Sequence, residues 1–272
     1  MSAPASLILA GAGKMGGAML QGWLHLGLEA AKIIVLDPQI GPEMATLCQN
    51  AGVALNPPLD TLGAPEVLVL AIKPQMLDSA APACAALAGP QTMVVSILAG
   101  KTIADLSARL PHARALVRAM PNLPAAIGRG TTGVFGNAAM SPAQKARADY
   151  LLKAVGHVEW VDSEALIDAV TAVSGSGPAY VFYLAECLAK AGEHAGLEPA
   201  LAMRLARATV EGAGELMFRS PGIAAAQLRT NVTSPGGTTA AALEVLMAGD
   251  GLAPLMQRAI AAAKRRAGEL SG

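Results

Sequence analysis

Leu7-Ile8-Leu9-Ala10-Gly11-Ala12-Gly13-Lys14-Met15-Gly16 is the stretch that decides the fold. Four apolar residues run straight into glycines at 11, 13 and 16. Met15, Met19, Leu20, Trp23 and Leu24 then recur at helical spacing, which predicts a helix over 15–26. A GxGxxG alone is weak. Placed between a strand and a helix, it is the arrangement that seats a dinucleotide pyrophosphate. The first glycine permits the tight turn, the second lets backbone approach the phosphates, and the third lets helix pack on strand. The helix start adds free N–H groups and a partial positive charge. The competing reading is a plain glycine-rich turn. A P-loop is excluded, because no Lys-Ser or Lys-Thr pair follows at the required spacing.

Outward from this loop, apolar runs at 32–37, 67–72, 92–98 and 113–120 read as strands. Helices are expected from Glu43 and over 76–87. Alternating strand and helix implies an α/β domain, a doubly wound parallel sheet covered on both faces. After Asp162 the strand signals stop. Segments 163–173, 179–195, 199–218, 239–248 and 252–270 read as helices, with Pro178 and Pro199 at first-turn positions and Gly196 placed as a terminator. The expected division is a Rossmann-type domain over 1–161 and an all-helical domain over 162–272.

Of the 272 residues, 53% are hydrophobic and 15% charged, so the chain is not disordered. Twenty basic residues balance 20 acidic ones, leaving no field to attract nucleic acid or anionic lipid. The run Lys264-Arg265-Arg266 reads as a solvated helix face. Cys48, Cys84 and Cys187 are odd in number and far apart. They suit reduced thiols of a cytoplasmic protein rather than disulfides or a zinc site. No basic segment leads into a long apolar one near the start, so no signal peptide is expected. Mean hydropathy is +0.44. Yet the uncharged stretch 169–185 is broken by Ser174-Gly175-Ser176-Gly177-Pro178, and it falls short of the roughly 20 apolar residues a membrane span needs. The apolar excess is expected instead to feed a subunit interface.

Asp37 ends the second strand at the distance past the glycines where a carboxylate receives both ribose hydroxyls. It would repel a 2′-phosphate, and 38–44 holds no Lys or Arg to bind one. NADH is therefore favoured over NADPH, unless Asp37 merely caps the next turn. The helical half holds two unusual loops, Ser-Gly-Ser-Gly-Pro-Ala-Tyr at 174–180 and Val-Thr-Ser-Pro-Gly-Gly-Thr-Thr at 232–239. Each precedes a predicted helix. Backbone N–H groups and hydroxyls there can receive a small carboxylate without an arginine; the plainer reading is ordinary capping. His25, His112, His157 and His194 sit in no nucleophile–base pattern, and no cluster suggests a metal.

The glycine loop at 11–16, Ala71-Ile72-Lys73-Pro74-Gln75, Arg118-Ala119-Met120-Pro121-Asn122, Ala169-Val170-Thr171 with the 174–180 loop, and the 232–239 loop occur in that order. This set, spanning 11 to 239, resembles pyrroline-5-carboxylate reductase. The resemblance implies reduction of the cyclic imine 1-pyrroline-5-carboxylate to L-proline, with NADH or NADPH as donor. It assigns the pyrophosphate to Gly11, Ala12, Gly13, Lys14, Met15 and Gly16. It places Ala71, Ile72, Lys73 and Pro74 along the dinucleotide, and Met120, Pro121 and Asn122 near the nicotinamide. Asn56 and Asn231 match cofactor-contacting positions. Ser234, Gly237, Thr238 and Thr239 would hold the substrate, with Thr239 nearest the ring nitrogen, and Glu164 matches a substrate-side position. Lys73 reads as a cofactor contact rather than a general acid, and Tyr180 as packing. The family pattern further implies an intertwined homodimer and often a decamer of five dimers. Ser220-Pro221-Gly222 stands where a His-Pro pair is common, and no Asp follows Leu228-Arg229; both departures bear on local helix geometry.

Two other functions fit the same plan, since fold does not fix function. One is a different two-domain dehydrogenase acting on a 3-hydroxy acid or another imine. The other is a nucleotide-sensing protein without turnover. The 232–239 loop argues against both.

Overall fold

A computed structural model describes residues 3–271. The chain forms two compact units: residues 3–175 with 263–271, and Ser176–Ala262. The change in sequence character at 161 marks the end of the last strand. The first compact unit runs on to Gly175 and also takes the end of the last helix.

The first unit carries one eight-stranded sheet. Its strands are β1 (Leu7–Ala10), β2 (Ile33–Leu36), β3 (Ala54–Leu55), β4 (Val67–Leu70), β5 (Met93–Ser96), β6 (Ala115–Met120), β7 (Gly130–Gly136) and β8 (Gly156–Trp160), in the order β3-β2-β1-β4-β5-β6-β7-β8. Helices α1 (Lys14–His25), α2 (Pro42–Ala51), α3 (Leu77–Leu87), α4 (Ile103–Arg109) and α5 (Pro142–Lys153) connect them. Strands β1, β4 and β5 are buried along their whole length, which is why they read as unbroken apolar runs. Leu7 and Leu9 pack into one core, Ile8 and Ala10 into the opposite one. Fully buried Trp23 donates its indole N–H to the Leu151 carbonyl at 2.8 Å, tying α1 to α5.

The expected all-parallel sheet needs one correction. β6 and β7 pair antiparallel. Only residues 121–129 join them, too few for the dozen or more that a parallel crossover requires. The longer segment holding α5 lets β8 return parallel to β7.

Beyond β8, the expected helix over 163–173 is shorter: α6 spans Leu166–Val170 and passes into a π-helical turn, Thr171–Gly175. Helices α7 (Gly177–His194), α8 (Pro199–Arg219), α9 (Ala225–Asn231), α10 (Thr238–Leu246) and α11 (Leu252–Ser271) follow. Sequence reading anticipated all but the short α9. Within Ser176–Ala262, the buried hydrophobics among the described residues are three alanines, Ala189, Ala202 and Ala206. Gly192 lets α7 and α8 approach closely, since a Cβ there would sit 3.3 Å from that of Ala202. Phe182, Tyr183, Leu216, Met217 and Val245 remain exposed. Among the described residues, no helix is long and apolar enough to cross a membrane.

Candidate active site

Strands β1 to β6 run parallel, so their carboxyl ends share one edge of the sheet. The sheet order turns around between β1 and β4, where such folds leave a ligand crevice. Gly11 follows β1, Asp37 follows β2, Asn56 follows β3, Ala71 follows β4, and Met120 ends β6. One edge therefore gathers candidate residues from five strands.

The glycines have distinct physical roles. Gly11 has φ +92°, and a Cβ there would lie 2.7 Å from the Ala71 carbonyl oxygen. At Gly16 a Cβ would lie 2.2 Å from the Gly11 oxygen. These two let the loop close on itself and on the segment after β4. Gly13 is different: beyond its chain neighbours, nothing in the protein lies within 4 Å of where its Cβ would be. Protein packing does not demand a glycine there, but a pyrophosphate against the α1 start would. The cradle therefore fits a dinucleotide. A cleft of about 490 Å³ borders Gly13, Lys14 and Met44, and an apolar cavity of about 530 Å³ is lined by Leu36, Pro38, Asn56, Ile72 and Met76. Cys84 also lines the cavity. Burial pushes its thiol up to about 11, so it stays protonated at neutral pH.

Asp37 is held rather than loose. Its Oδ2 accepts the Ala12 N–H at 2.8 Å and its Oδ1 the Gln39 N–H at 2.9 Å. The turn-capping role is thus present, and it leaves further lone pairs on each oxygen. Lys73 is exposed and precedes a 3-10 turn, Pro74–Met76.

Asn122 joins three segments. Its Nδ2 donates to the Ser174 carbonyl and hydroxyl, both at 3.1 Å, and its Oδ1 accepts the Thr131 N–H at 2.8 Å. Met120 packs on the π-helical turn so tightly that a Cβ at Gly175 would fall 2.8 Å from its methyl carbon. Single π turns inside helices often mark functional sites.

Glu164 is engaged within the first unit: Oε1 accepts the Ile103 N–H at 2.7 Å and pairs with Arg118 at 3.2 Å. Arg118, 5% exposed on β6, also faces Asp168 at 3.4 Å and the Ser271 hydroxyl at 3.1 Å. Nothing local in the sequence around Arg118 signals this role.

In the second unit, Gly237 is the N-cap of α10 and Thr238 its first residue. The Gly237 N–H bonds the Ser234 carbonyl at 3.0 Å, closing a turn with Gly236 at φ +68°. No side chain caps α10, so the first N–H groups at Thr238 and Thr239 stay open to an anion. Asn231 ends α9, where its Oδ1 accepts from Gln227 at 2.8 Å.

A family model described as pyrroline-5-carboxylate reductase dimerisation matches residues 164–270. A second, described as NADP oxidoreductase coenzyme F420-dependent, matches residues 7–100. The pyrroline-5-carboxylate reductase of Pseudomonas aeruginosa is 40% identical over 271 residues, covering 100% of this chain and 98% of its own. The chain belongs to the pyrroline-5-carboxylate reductase family. A pyrroline-5-carboxylate reductase structure from Coxiella burnetii superposes with a TM-score of 0.89 at 34% identity, covering 99% of each chain. The Plasmodium falciparum pyrroline carboxylate reductase with NADP bound shares the fold, with a TM-score of 0.77 at 24% identity and 98% of each chain covered. As a pyrroline-5-carboxylate reductase family member, the chain is an NAD(P)-dependent oxidoreductase whose helical region matches a dimerisation model.

Proposed function

We propose that this chain reduces 1-pyrroline-5-carboxylate to L-proline, the last step of proline biosynthesis. The full-length likeness to the Pseudomonas aeruginosa reductase carries this reading, and the open glycine cradle supports it. The imine C=N gains a hydride at carbon and a proton at nitrogen. A bound nicotinamide supplies the hydride, so the protein's task is orientation and charge. Gly11 to Gly16 seat the pyrophosphate, with Ala71, Ile72, Lys73 and Pro74 along the dinucleotide and Met120 to Asn122 beside the nicotinamide. Residues 1–161 thus serve the cofactor, and 162–272 serve substrate and dimer. The open α10 start takes the substrate carboxylate at Gly237 and Thr238, with Ser234 at its rim. The Thr239 hydroxyl meets the ring nitrogen, Glu164 borders the substrate, and Asn231 faces the cofactor.

Asp37 and the absence of any Lys or Arg from 38–44 favour NADH. The helical unit buries only alanines and exposes large apolar side chains, so a second copy covers them. The functional form is a homodimer at least, assembling further to a decamer of five dimers, in the cytoplasm.

Steady-state oxidation of NADH and of NADPH with racemic 1-pyrroline-5-carboxylate tests the reading. Turnover is expected with NADH exceeding NADPH. A preference for NADPH would keep the reaction and remove the role given to Asp37. Tight nucleotide binding without turnover would favour a sensor or another dehydrogenase. Thr239→Val is expected to lower kcat/KM for the imine by about 10- to 100-fold, the loss of one hydrogen bond to a charged group, while NADH affinity stays unchanged. An unaltered kcat/KM would remove Thr239 from the chemistry.

A further inference from the structure

Asn56 is the one non-glycine residue with positive φ among the described residues, at +48°. It follows β3, whose last residue Leu55 pairs with Val35. Its own N–H still bonds the Val35 carbonyl at 2.8 Å. At that point the left-handed turn carries the backbone off the sheet, and the side-chain amide takes over. Its Oδ1 accepts the Asp37 N–H and its Nδ2 donates to the Asp37 carbonyl, both at 2.8 Å. The amide thus mimics one more peptide unit of the ladder, and its geometry is what the left-handed turn provides. Asparagine is among the few side chains that visit that region routinely, and strain kept at a site's edge points to a role there.

The held residue matters. The carboxylate of Asp37 bonds the Ala12 N–H of the glycine loop and the Gln39 N–H. Two backbone contacts fix the carboxylate, and two amide contacts fix its backbone. We infer that Asn56, beyond the cofactor-contacting position the resemblance gives it, is a positioning residue that sets dinucleotide selectivity through Asp37. The inference rests on the reading that Asp37 receives the ribose hydroxyls. A carboxylate locked at the strand end meets those hydroxyls without further ordering and stands squarely against a 2′-phosphate. Without the Asn56 amide the strand end that carries the carboxylate is less fixed, so the carboxylate meets the hydroxyls less well and opposes a 2′-phosphate less squarely.

The test uses Asn56→Gly, Asp37→Ser and the double variant in the full-length protein. Glycine adopts φ +48° without strain, so the amide alone is removed, and a thermal melt verifies folding. Kd for NADH and for NADPH is read by titrating nicotinamide fluorescence, and KM and kcat are read separately. Asn56→Gly is expected to weaken NADH by about tenfold, the worth of one ribose hydrogen bond to the carboxylate that is made poorly once Asp37 is less fixed. NADPH should hold or tighten, because the opposition to its 2′-phosphate relaxes, and KM and kcat are compared for the two dinucleotides. In the Asp37→Ser background, Asn56→Gly should leave the NADH to NADPH ratio where Asp37→Ser put it. Equal weakening of both dinucleotides, or a full effect persisting without Asp37, would overturn the inference and make Asn56 a direct contact. If Asp37→Ser itself leaves the ratio unmoved, the ribose reading fails and takes the inference with it. If Asp37→Ser moves the ratio and Asn56→Gly does not, the inference alone fails.

Discussion

Gly16→Ala is expected to weaken NADH binding by about 5- to 150-fold, as overpacking of about 1–3 kcal/mol distorts the cradle. The added methyl would lie 2.2 Å from the Gly11 carbonyl oxygen and 3.0 Å from the Ala71 Cβ. Neither neighbour is the free end of a flexible side chain, so the loop itself must move. The N–H groups aimed at the pyrophosphate move with it. Gly13→Ala supplies the control. With nothing but its chain neighbours within 4 Å, it should fold with an unchanged thermal midpoint and still bind NADH more weakly, because a ligand needs that space. Wild-type NADH affinity in Gly13→Ala, measured by fluorescence titration, would show that phosphates do not sit at this loop.

Arg118→Met should cost about 3–5 kcal/mol of stability, the usual penalty for removing one partner of a buried ion pair. Arg118 is 5% exposed and is shared between Glu164 and Asp168, which would be left facing each other without a cation. The Ser271 hydroxyl bonds both Arg118 and Asp168, so the end of α11 should loosen too. Urea unfolding reports the loss directly. A change under about 1 kcal/mol would mean that the cluster behaves like a solvated surface pair. Measuring Glu164→Gln beside it separates the ion pair from the bond Glu164 accepts from the Ile103 N–H.

The parts of the fold that were legible are those whose signal is local. β1, its glycine loop and α1 announce themselves within 20 residues, and the long helices α7, α8 and α11 carry proline starts or sustained periodicity. β7 was not read as a strand, because glycines at 130, 133 and 136 dilute its apolar pattern. Those glycines answer to distant neighbours: a Cβ at Gly133 would fall 2.4 Å from a Val170 methyl carbon. Two helices were missed despite a readable start. Thr102 with Asp105 and Ser141 with Gln144 both form capping boxes.

The site divides in the same way. The glycine loop, Asp37 and the 232–239 loop were legible as motifs. The tie between Asp37 and Asn56 was not, because it depends on β3 lying beside β2 and on one left-handed residue. Nor was the setting of Arg118, whose partners Glu164, Asp168 and Ser271 lie 46, 50 and 153 positions away. A buried charge with no local partner is a signal only once the sheet is assembled.

The near-absence of a core within Ser176–Ala262 has a consequence for how the chain matures. The nucleotide-binding half completes both of its apolar clusters from residues 7–155, so most of its packing can form before the last helix closes on Arg118 through Ser271. The later helices gain less by folding alone, since among the described residues of Ser176–Ala262 only three hydrophobics, all alanines, are buried. Their order then depends on encounter, and mass action governs it. The melting temperature should climb with protein concentration, and newly made chains should pass through a stage with a finished head and an unsettled tail. A cell making few copies would hold that stage longer, exposing apolar helices to proteases and chaperones before any proline could be made.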